Sequence, residues 1–222
     1  MDHHPKLIVM LTHHDRTVAD APEIFETCQN TKAEFWGFKE DGLSFPKMKK
    51  LFSDMKNCGK KTGLEVVAYT EKECLDGAKV ALECGCDMLM GTLFFDSVNE
   101  FCLNHKLKYF PFIGEVTERP SVLNGLPQDM IEEGKRYIKK GASGIDLLGY
   151  RYTGDAFSLN KLVTQSMDAP VCIAGSVNSW QRLDEIKEIR PWTFTIGGAF
   201  FENRFGTVFA EQVDRVCDYI RS

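Results

Sequence analysis

Apolar runs of strand length recur along the whole chain, and stretches with helical spacing of apolar residues lie between them. The runs are nearly continuous rather than alternating with polar residues, which is typical of strands that are buried on both faces. We predict eight strands, at residues 7–11, 33–38, 64–69, 88–95, 109–113, 144–148, 171–174 and 193–196.

The segments between these runs carry apolar residues at three- and four-residue intervals, as Met48, Leu51, Phe52 and Met55 do. That spacing predicts amphipathic helices. Regular alternation of strands and helices indicates a parallel sheet. Eight repeats within 222 residues favour a closed (β/α)8 TIM barrel, an α/β fold, as one domain over residues 1–222. An open, doubly wound sheet is the alternative.

Composition narrows the possible partners and the compartment. Net charge is −5, and no basic stripe stands out, so we expect no nucleic-acid partner. No apolar stretch approaches the ~20 residues that span a bilayer, and the first residues lack a signal-peptide pattern. The eight cysteines lie mostly within apolar segments, which is typical of reduced core thiols. We therefore expect a cytoplasmic protein without membrane contact.

Candidate catalytic groups follow from the barrel, because enzymes of this fold place working side chains at the carboxyl ends of strands. Lys39 follows the second strand, and Glu115 follows the fifth after a glycine. Asp146 interrupts the sixth strand, where a buried carboxylate needs a partner, and Lys39 is a candidate partner. Alternatively, these residues form solvated loops or structural ion pairs.

Other polar residues at the same end are candidate substrate contacts: His13, Asp15 and Arg151. Arg151 has the geometry to bind a carboxylate or phosphate. Adjacent histidines on an extended chain point in opposite directions, so His13 and His14 are not expected to share one metal ion. We expect neither a metal nor a cofactor.

The last two predicted strands end in small residues, at Gly175-Ser176 and at Gly197-Gly198. Small residues leave main-chain N–H groups uncovered, and in a barrel the loops after strands seven and eight are a usual phosphate site. We predict that these four residues bind phosphate. The alternative is a pair of tight turns that favour glycine.

The longest connection without clear periodicity runs from residue 115 to residue 128. A long loop after the fifth strand is either a lid over the active site or an ordinary surface excursion. Both interpretations remain open from the sequence.

The segments Ala174-Gly-Ser-Val177 and Ile196-Gly-Gly-Ala199 resemble the phosphate clamp of the ribulose-phosphate-binding barrels. The second segment is most similar to that of the N-acetylmannosamine-6-phosphate 2-epimerases. The chain departs from other members: it lacks the Asp-x-Lys-x-x-Asp pattern after strand three, a histidine on strand three, and a glutamate after strand seven. The resemblance implies a small phosphorylated substrate and a possible homodimer that pairs through outer helices.

The residues and the resemblance together predict a sugar-phosphate isomerase or epimerase. Lys39, Glu115 and Asp146 would move a proton next to a carbonyl group. One alternative is a lyase, an aldolase or decarboxylase, that uses Lys39 as a Schiff base or uses acid–base chemistry. Another alternative is a barrel that senses a phosphorylated metabolite without turning it over.

Overall fold

Eight parallel strands form one sheet in the computed structural model, which describes residues 4–222. Consecutive strands are neighbours, and the last pairs with the first. Met1–His3, part of the segment in which no signal peptide is predicted, lie outside the described residues. The strands are β1 (Lys6–Met10), β2 (Phe35–Lys39), β3 (Lys61–Val66), β4 (Met88–Gly91), β5 (Lys108–Phe110), β6 (Ile145–Leu147), β7 (Val171–Ile173) and β8 (Thr193–Ile196).

The sheet closes between β5 and β6. Phe112 forms a parallel bridge with Asp146, and the Asp146 N–H donates to the Pro111 carbonyl at 3.0 Å. A second bond joins the Ser143 N–H to the Tyr109 carbonyl at 2.8 Å. The predicted (β/α)8 barrel is therefore confirmed, and the open sheet is excluded.

Helices follow the strands and pack their apolar faces against the outside of the barrel. The predicted face of Met48, Leu51, Phe52 and Met55 is fully buried. No helix within residues 4–222 combines the length and the apolar character that crossing a bilayer requires. The helices are α1 (Ala21–Cys28), α2 (Phe45–Asn57), α3 (Glu71–Cys84), α4 (Asp96–His105), α5 (Pro127–Lys139), α6 (Ala156–Ser166), α7 (Trp180–Ile189), the short α8 (Gly198–Phe201) and α9 (Phe209–Arg221).

Two small hairpins stand at the carboxyl ends of the strands. The first hairpin follows β1 and pairs Thr12–His13 with Arg16–Thr17. The second hairpin follows β5 and pairs Glu115–Thr117 with Val122–Asn124. A 3-10 turn, Gly149–Arg151, follows β6 at the same end. The connection after β5, predicted as a lid or an excursion, is thus largely an ordered hairpin.

Side chains alternate along each strand between the barrel interior and the helix layer. The interior contains a compact apolar cluster: Ile8, Met10, Phe35, Met88, Met90, Phe110 and Cys172. Lys39 lies four residues after Phe35 on β2, so both side chains point to the same face of the strand. Asp146 lies opposite Cys172 in the register of β6 and β7. Strand alternation therefore directs both charged residues toward the barrel axis, above the apolar cluster.

The closing seam of the barrel has no room for a side chain at Gly144. A Cβ there would meet the Phe110 ring at 2.3 Å and the Pro170 carbonyl oxygen at 2.4 Å. We expect Gly144→Ala to lower the free energy of unfolding by about 2 kcal/mol, through overpacking. Urea unfolding measures the difference.

Gly63→Ala is the matched control. A Cβ at Gly63 meets only the flexible Met90 and Met88 side chains, the nearest atom being the Met90 Sδ at 3.1 Å. We expect a smaller loss than at Gly144, because thioether chains adapt to a methyl group. Equal losses in the two variants would contradict the steric argument.

Candidate functional site

A cavity of about 270 Å³ opens at the carboxyl ends of the strands. Residues from the ends of β1, β2, β3, β7 and β8, the first hairpin and the 3-10 turn line it. This is the end at which barrel enzymes carry their active sites. The lining includes eight of the ten predicted site residues, Lys39 among them, and excludes Glu115 and Asp146.

Lys39 lies near the centre of this site, with its side chain only 10 % exposed. Its Nζ donates to Asp15 Oδ1 at 2.5 Å and lies 3.5 Å from Glu65 Oε1. The last pair of the β2–β3 register is Lys39 with Glu65, which explains why their side chains meet. Burial lowers the pKa of Lys39, but the Glu65 and Asp15 carboxylates raise it by more, so the pKa lies above the ordinary lysine value. Lys39 is therefore an ammonium group at neutral pH.

Glu65 is the site residue that the sequence interpretation missed. Because β3 begins at Lys61, before the apolar run, Glu65 is the next-to-last residue of the strand rather than an early one. Its side chain is 13 % exposed and lines the cavity. The spacing Gly63-x-Glu65 could have identified this residue. Residues two apart on a strand point to the same face, and Gly63 faces Met90 in the barrel interior, so the Glu65 carboxylate points to the interior as well.

Asp146 is buried, with 1 % of its surface exposed. Neither of its carboxyl oxygens has a hydrogen-bond partner within the described residues. Burial raises the pKa of Asp146 well above its ordinary value, the Glu65 carboxylate raises it further, and the Lys39 ammonium opposes both. Asp146 and Lys39, which were predicted to pair, do not form a direct ion pair. The Lys39 ammonium group pairs with the Asp15 and Glu65 carboxylates instead. Burial and the Glu65 carboxylate therefore both favour the protonated, neutral form of the Asp146 carboxyl group.

Glu115 does not belong to the cavity. Gly114 adopts φ +80, so the chain turns between the end of β5 and the second hairpin. Glu115 then starts the second hairpin, where it is exposed. The expectation that it contributes to the site assumed that the strand direction continued, and the turn at Gly114 removes that basis. We do not retain Glu115 as an acid or a base.

The four residues predicted to bind phosphate all line the cavity: Gly175, Ser176, Gly197 and Gly198. Gly175 and Ser176 both have positive φ, +91 and +78, so a sharp turn follows β7. A Cβ at Gly198 would have nothing closer than His13 Cδ2 at 3.5 Å, which shows open space above this residue. The two turns therefore bring small residues from neighbouring strands to one side of the cavity.

His13 lies on the first hairpin, close to the β8 turn. Its ring stacks on the Phe201 ring with 5.4 Å between the two ring centroids, and its Nε2 is 3.9 Å from Glu202 Oε1. The expectation that His13 and His14 point in opposite directions is wrong, because the rings lie 3.8 Å apart. His14 and Asp15 have positive φ, +49 and +62, so the chain is a tight turn rather than extended.

Arg151 ends the 3-10 turn and lines the cavity. Its Nη1 donates to the Ser121 carbonyl at 3.2 Å. A Cβ at Gly175 would lie 2.7 Å from Arg151 Cγ, so the stem of this side chain covers the β7 turn. No carboxylate among residues 4–222 forms an ion pair with Arg151, which leaves its charge available to an anion in the cavity.

Solved structures share this architecture over nearly their whole length. Orotidine 5′-monophosphate decarboxylase from Methanocaldococcus jannaschii, complexed with the inhibitor BMP, has a TM-score of 0.71 at 14 % identity, covering 99 % of this chain and 100 % of that chain. Orotidine 5′-phosphate decarboxylase from Pyrococcus horikoshii OT3 has a TM-score of 0.68 at 11 % identity, covering 97 % and 99 %. Tryptophan synthase from M. tuberculosis has a TM-score of 0.71 at 12 % identity, covering 99 % and 94 %.

No protein-family model matches the sequence, and no curated protein matches it either. Identities this low establish the fold and carry no information on individual site residues. The chain has the same (β/α)8-barrel fold as these solved structures.

Proposed function

We propose that this protein is a lyase that breaks a carbon–carbon bond in a small phosphorylated substrate by acid–base chemistry. The observation that carries the proposal is the Lys39 ammonium, which lies in the cavity between Asp15 and Glu65. Two of the similar structures are decarboxylases of a phosphorylated compound, as their names state. That likeness supports a lyase over the isomerase predicted from the sequence.

The phosphate group of the substrate would bind at the turns after β7 and β8. Gly175 and Ser176 contribute one turn, and Gly197 and Gly198 contribute the other. Main-chain N–H groups at such turns bind anions without the entropic cost of ordering long side chains. Binding there would fix the substrate so that its reacting carbon lies near Lys39.

Lys39 would stabilise the negative charge that develops on the substrate. When the bond to a substrate carboxylate breaks, its electron pair and negative charge stay on the substrate carbon, and the other fragment leaves as neutral carbon dioxide. The Lys39 ammonium lowers the energy of this carbanion and then donates a proton to it. Solvent afterwards returns a proton to the amine. A Schiff base is disfavoured, because it needs a neutral amine and the two carboxylates hold Lys39 protonated.

Asp146 would act on Lys39 from a distance. It does not line the cavity, so it has no direct access to a substrate there. Its raised pKa favours the neutral form, which would add no third negative charge to the cluster of Asp15, Glu65 and Lys39. We therefore assign it a positioning role in place of the acid–base role predicted from the sequence.

An isomerase or epimerase is the second candidate. The specific observation in its favour is that two carboxylates, Asp15 and Glu65, lie beside one ammonium group. Moving a proton next to a carbonyl requires both a base and an acid in one site. The two candidates share the same charged intermediate and differ in whether a carbon–carbon bond breaks, which product analysis distinguishes.

A thermal-shift screen of phosphorylated metabolites tests the proposed site, with Gly198→Ala as the diagnostic variant. A ligand at 100 times its dissociation constant should stabilise the protein by about 2.7 kcal/mol. The methyl group fits the open space beside His13, so we expect an unchanged melting temperature without ligand. It would stand over the anion site, and the affinity for the phosphorylated ligand should fall by about tenfold or more.

Glu115→Gln is the control, because Glu115 is exposed on the second hairpin and outside the cavity. It should bind the ligand as the wild type does. Wild-type affinity in Gly198→Ala would place the phosphate elsewhere. Binding of phosphorylated metabolites with no turnover in product analysis would instead support the non-catalytic sensor.

A further inference from the structure

The loop at the tip of the second hairpin, residues 118–121, lies across the mouth of the cavity, and we call it the strap. Pro120 and Ser121 line the cavity. Arg119 Nη2 donates to Glu40 Oε1 at 2.7 Å and also to the Val67 carbonyl oxygen. The strap is therefore attached to the ends of β2 and β3, on the side of the barrel that carries Lys39.

A second set of bonds holds the same loop from the segment that follows β3. The Tyr69 hydroxyl donates to the Glu118 carbonyl at 2.6 Å and lies 3.1 Å from the Ser121 hydroxyl. Ser121 is only 4 % exposed, although it belongs to a surface hairpin. These contacts give the loop a defined closed position over the cavity.

Arg151 joins the strap to the opposite wall. Its Nη1 donates to the Ser121 carbonyl, while its stem crosses the Gly175 turn that belongs to the proposed phosphate site. A guanidinium has five N–H donors in a fixed plane, so one bond to Ser121 leaves others for an anion. The same side chain therefore contacts the strap and faces the place where an anion would bind.

We propose that Arg151 couples anion binding at the Gly175–Ser176 turn to the position of the strap, so that a phosphorylated ligand holds the strap closed. Fixing an arginine side chain costs conformational entropy. When a bound anion fixes Arg151, the bond to Ser121 forms without a further cost of that kind, which makes the two contacts cooperative. The inference rests on the proposed phosphate site.

Hydrogen–deuterium exchange with inorganic phosphate as the probe tests this coupling. In the wild type, saturating phosphate should slow exchange across residues 115–124 by about fivefold, relative to chloride at equal ionic strength. It should also slow exchange across residues 174–178. Arg151→Lys keeps a positive charge but replaces the planar fork with a compact ammonium. At its own saturating phosphate concentration, this variant should protect residues 174–178 and leave residues 115–124 unchanged.

Arg190→Met is the matched control, because Arg190 is exposed at the end of α7 and its side chain makes no polar contact among residues 4–222. It should behave as the wild type does. The coupling would be overturned if phosphate slowed exchange across residues 115–124 equally in Arg151→Lys and in the wild type. It would also be overturned if phosphate slowed exchange in the wild type across residues 174–178 alone. Absence of protection at both segments in the wild type would instead overturn the phosphate site, and the coupling with it.

Discussion

Replacing Lys39 with methionine should lower kcat by about a thousandfold on the substrate identified by ligand screening. The substitution removes the cation that contacts both Asp15 and Glu65 and the group proposed to protonate the carbanion. It also leaves two mostly buried carboxylates without their partner, so the free energy of unfolding should fall by about 3 kcal/mol. Initial rates and urea unfolding measure the two effects.

The double variant Lys39→Met/Glu65→Gln separates stability from chemistry. Removing one of the two unpaired carboxylates should restore much of the lost stability, while kcat stays as low as in Lys39→Met. A Lys39→Met rate within tenfold of the wild type would remove Lys39 from the chemistry. Borohydride trapping with a keto substrate is the complementary experiment, because a covalent adduct on Lys39 would show a Schiff base and contradict the acid–base proposal.

Asp146→Asn should stabilise the protein increasingly as pH rises. The folded-state pKa of Asp146 is raised by burial and by the Glu65 carboxylate, so the native state binds a proton that the unfolded chain has released. Between the unfolded-state pKa of about 3.9 and the raised folded-state pKa, this residue makes wild-type stability fall as pH rises. The slope from one such proton is about 1.4 kcal/mol per pH unit, and the asparagine variant lacks it.

Urea unfolding of both proteins at several pH values between 4 and 8 measures that difference. Asp168→Asn serves as the control, because Asp168 is exposed and forms no ion pair within residues 4–222. Parallel stability curves for the wild type and Asp146→Asn would show that Asp146 is ionised in the folded protein. Activity of the same variant tests its assigned role: a positioning residue should affect kcat through Lys39 and leave phosphate affinity unchanged.

The accuracy of each predicted site residue depended on how well the sequence showed where its strand begins and ends. Lys39 follows a continuous apolar run, so its place at the end of β2 could be recognised. The start of β3 is polar at Lys61-Thr62, so the strand predicted at residues 64–69 starts too late, and that range puts Glu65 near its beginning rather than its end. Glu115 lies outside the cavity for a different reason: it starts an exposed hairpin after a turn at Gly114, and the apolar run before it does not predict that turn.

Several expectations stay predictions. They are the homodimer, the cytoplasmic location, the single domain over residues 1–222, and the absence of a metal or cofactor. The phosphate site likewise stays a proposal, although its four residues line one cavity. The reaction is also a proposal, because structures at 11–14 % identity share the fold without showing which residues do the chemistry.

The sequence by itself determined the barrel, because each strand is buried on both faces and its hydrophobic residues therefore run continuously between amphipathic helices. It also determined which strand ends carry small residues, since those positions are local in the chain. Only the tertiary structure decided that Asp15 and Glu65 hold Lys39, that the Asp146 carboxyl oxygens have no hydrogen-bond partner within residues 4–222, and that Arg151 reaches the strap. These relations join residues on different strands and loops, and their distances depend on barrel register and turn geometry, which local hydrophobic patterns do not encode.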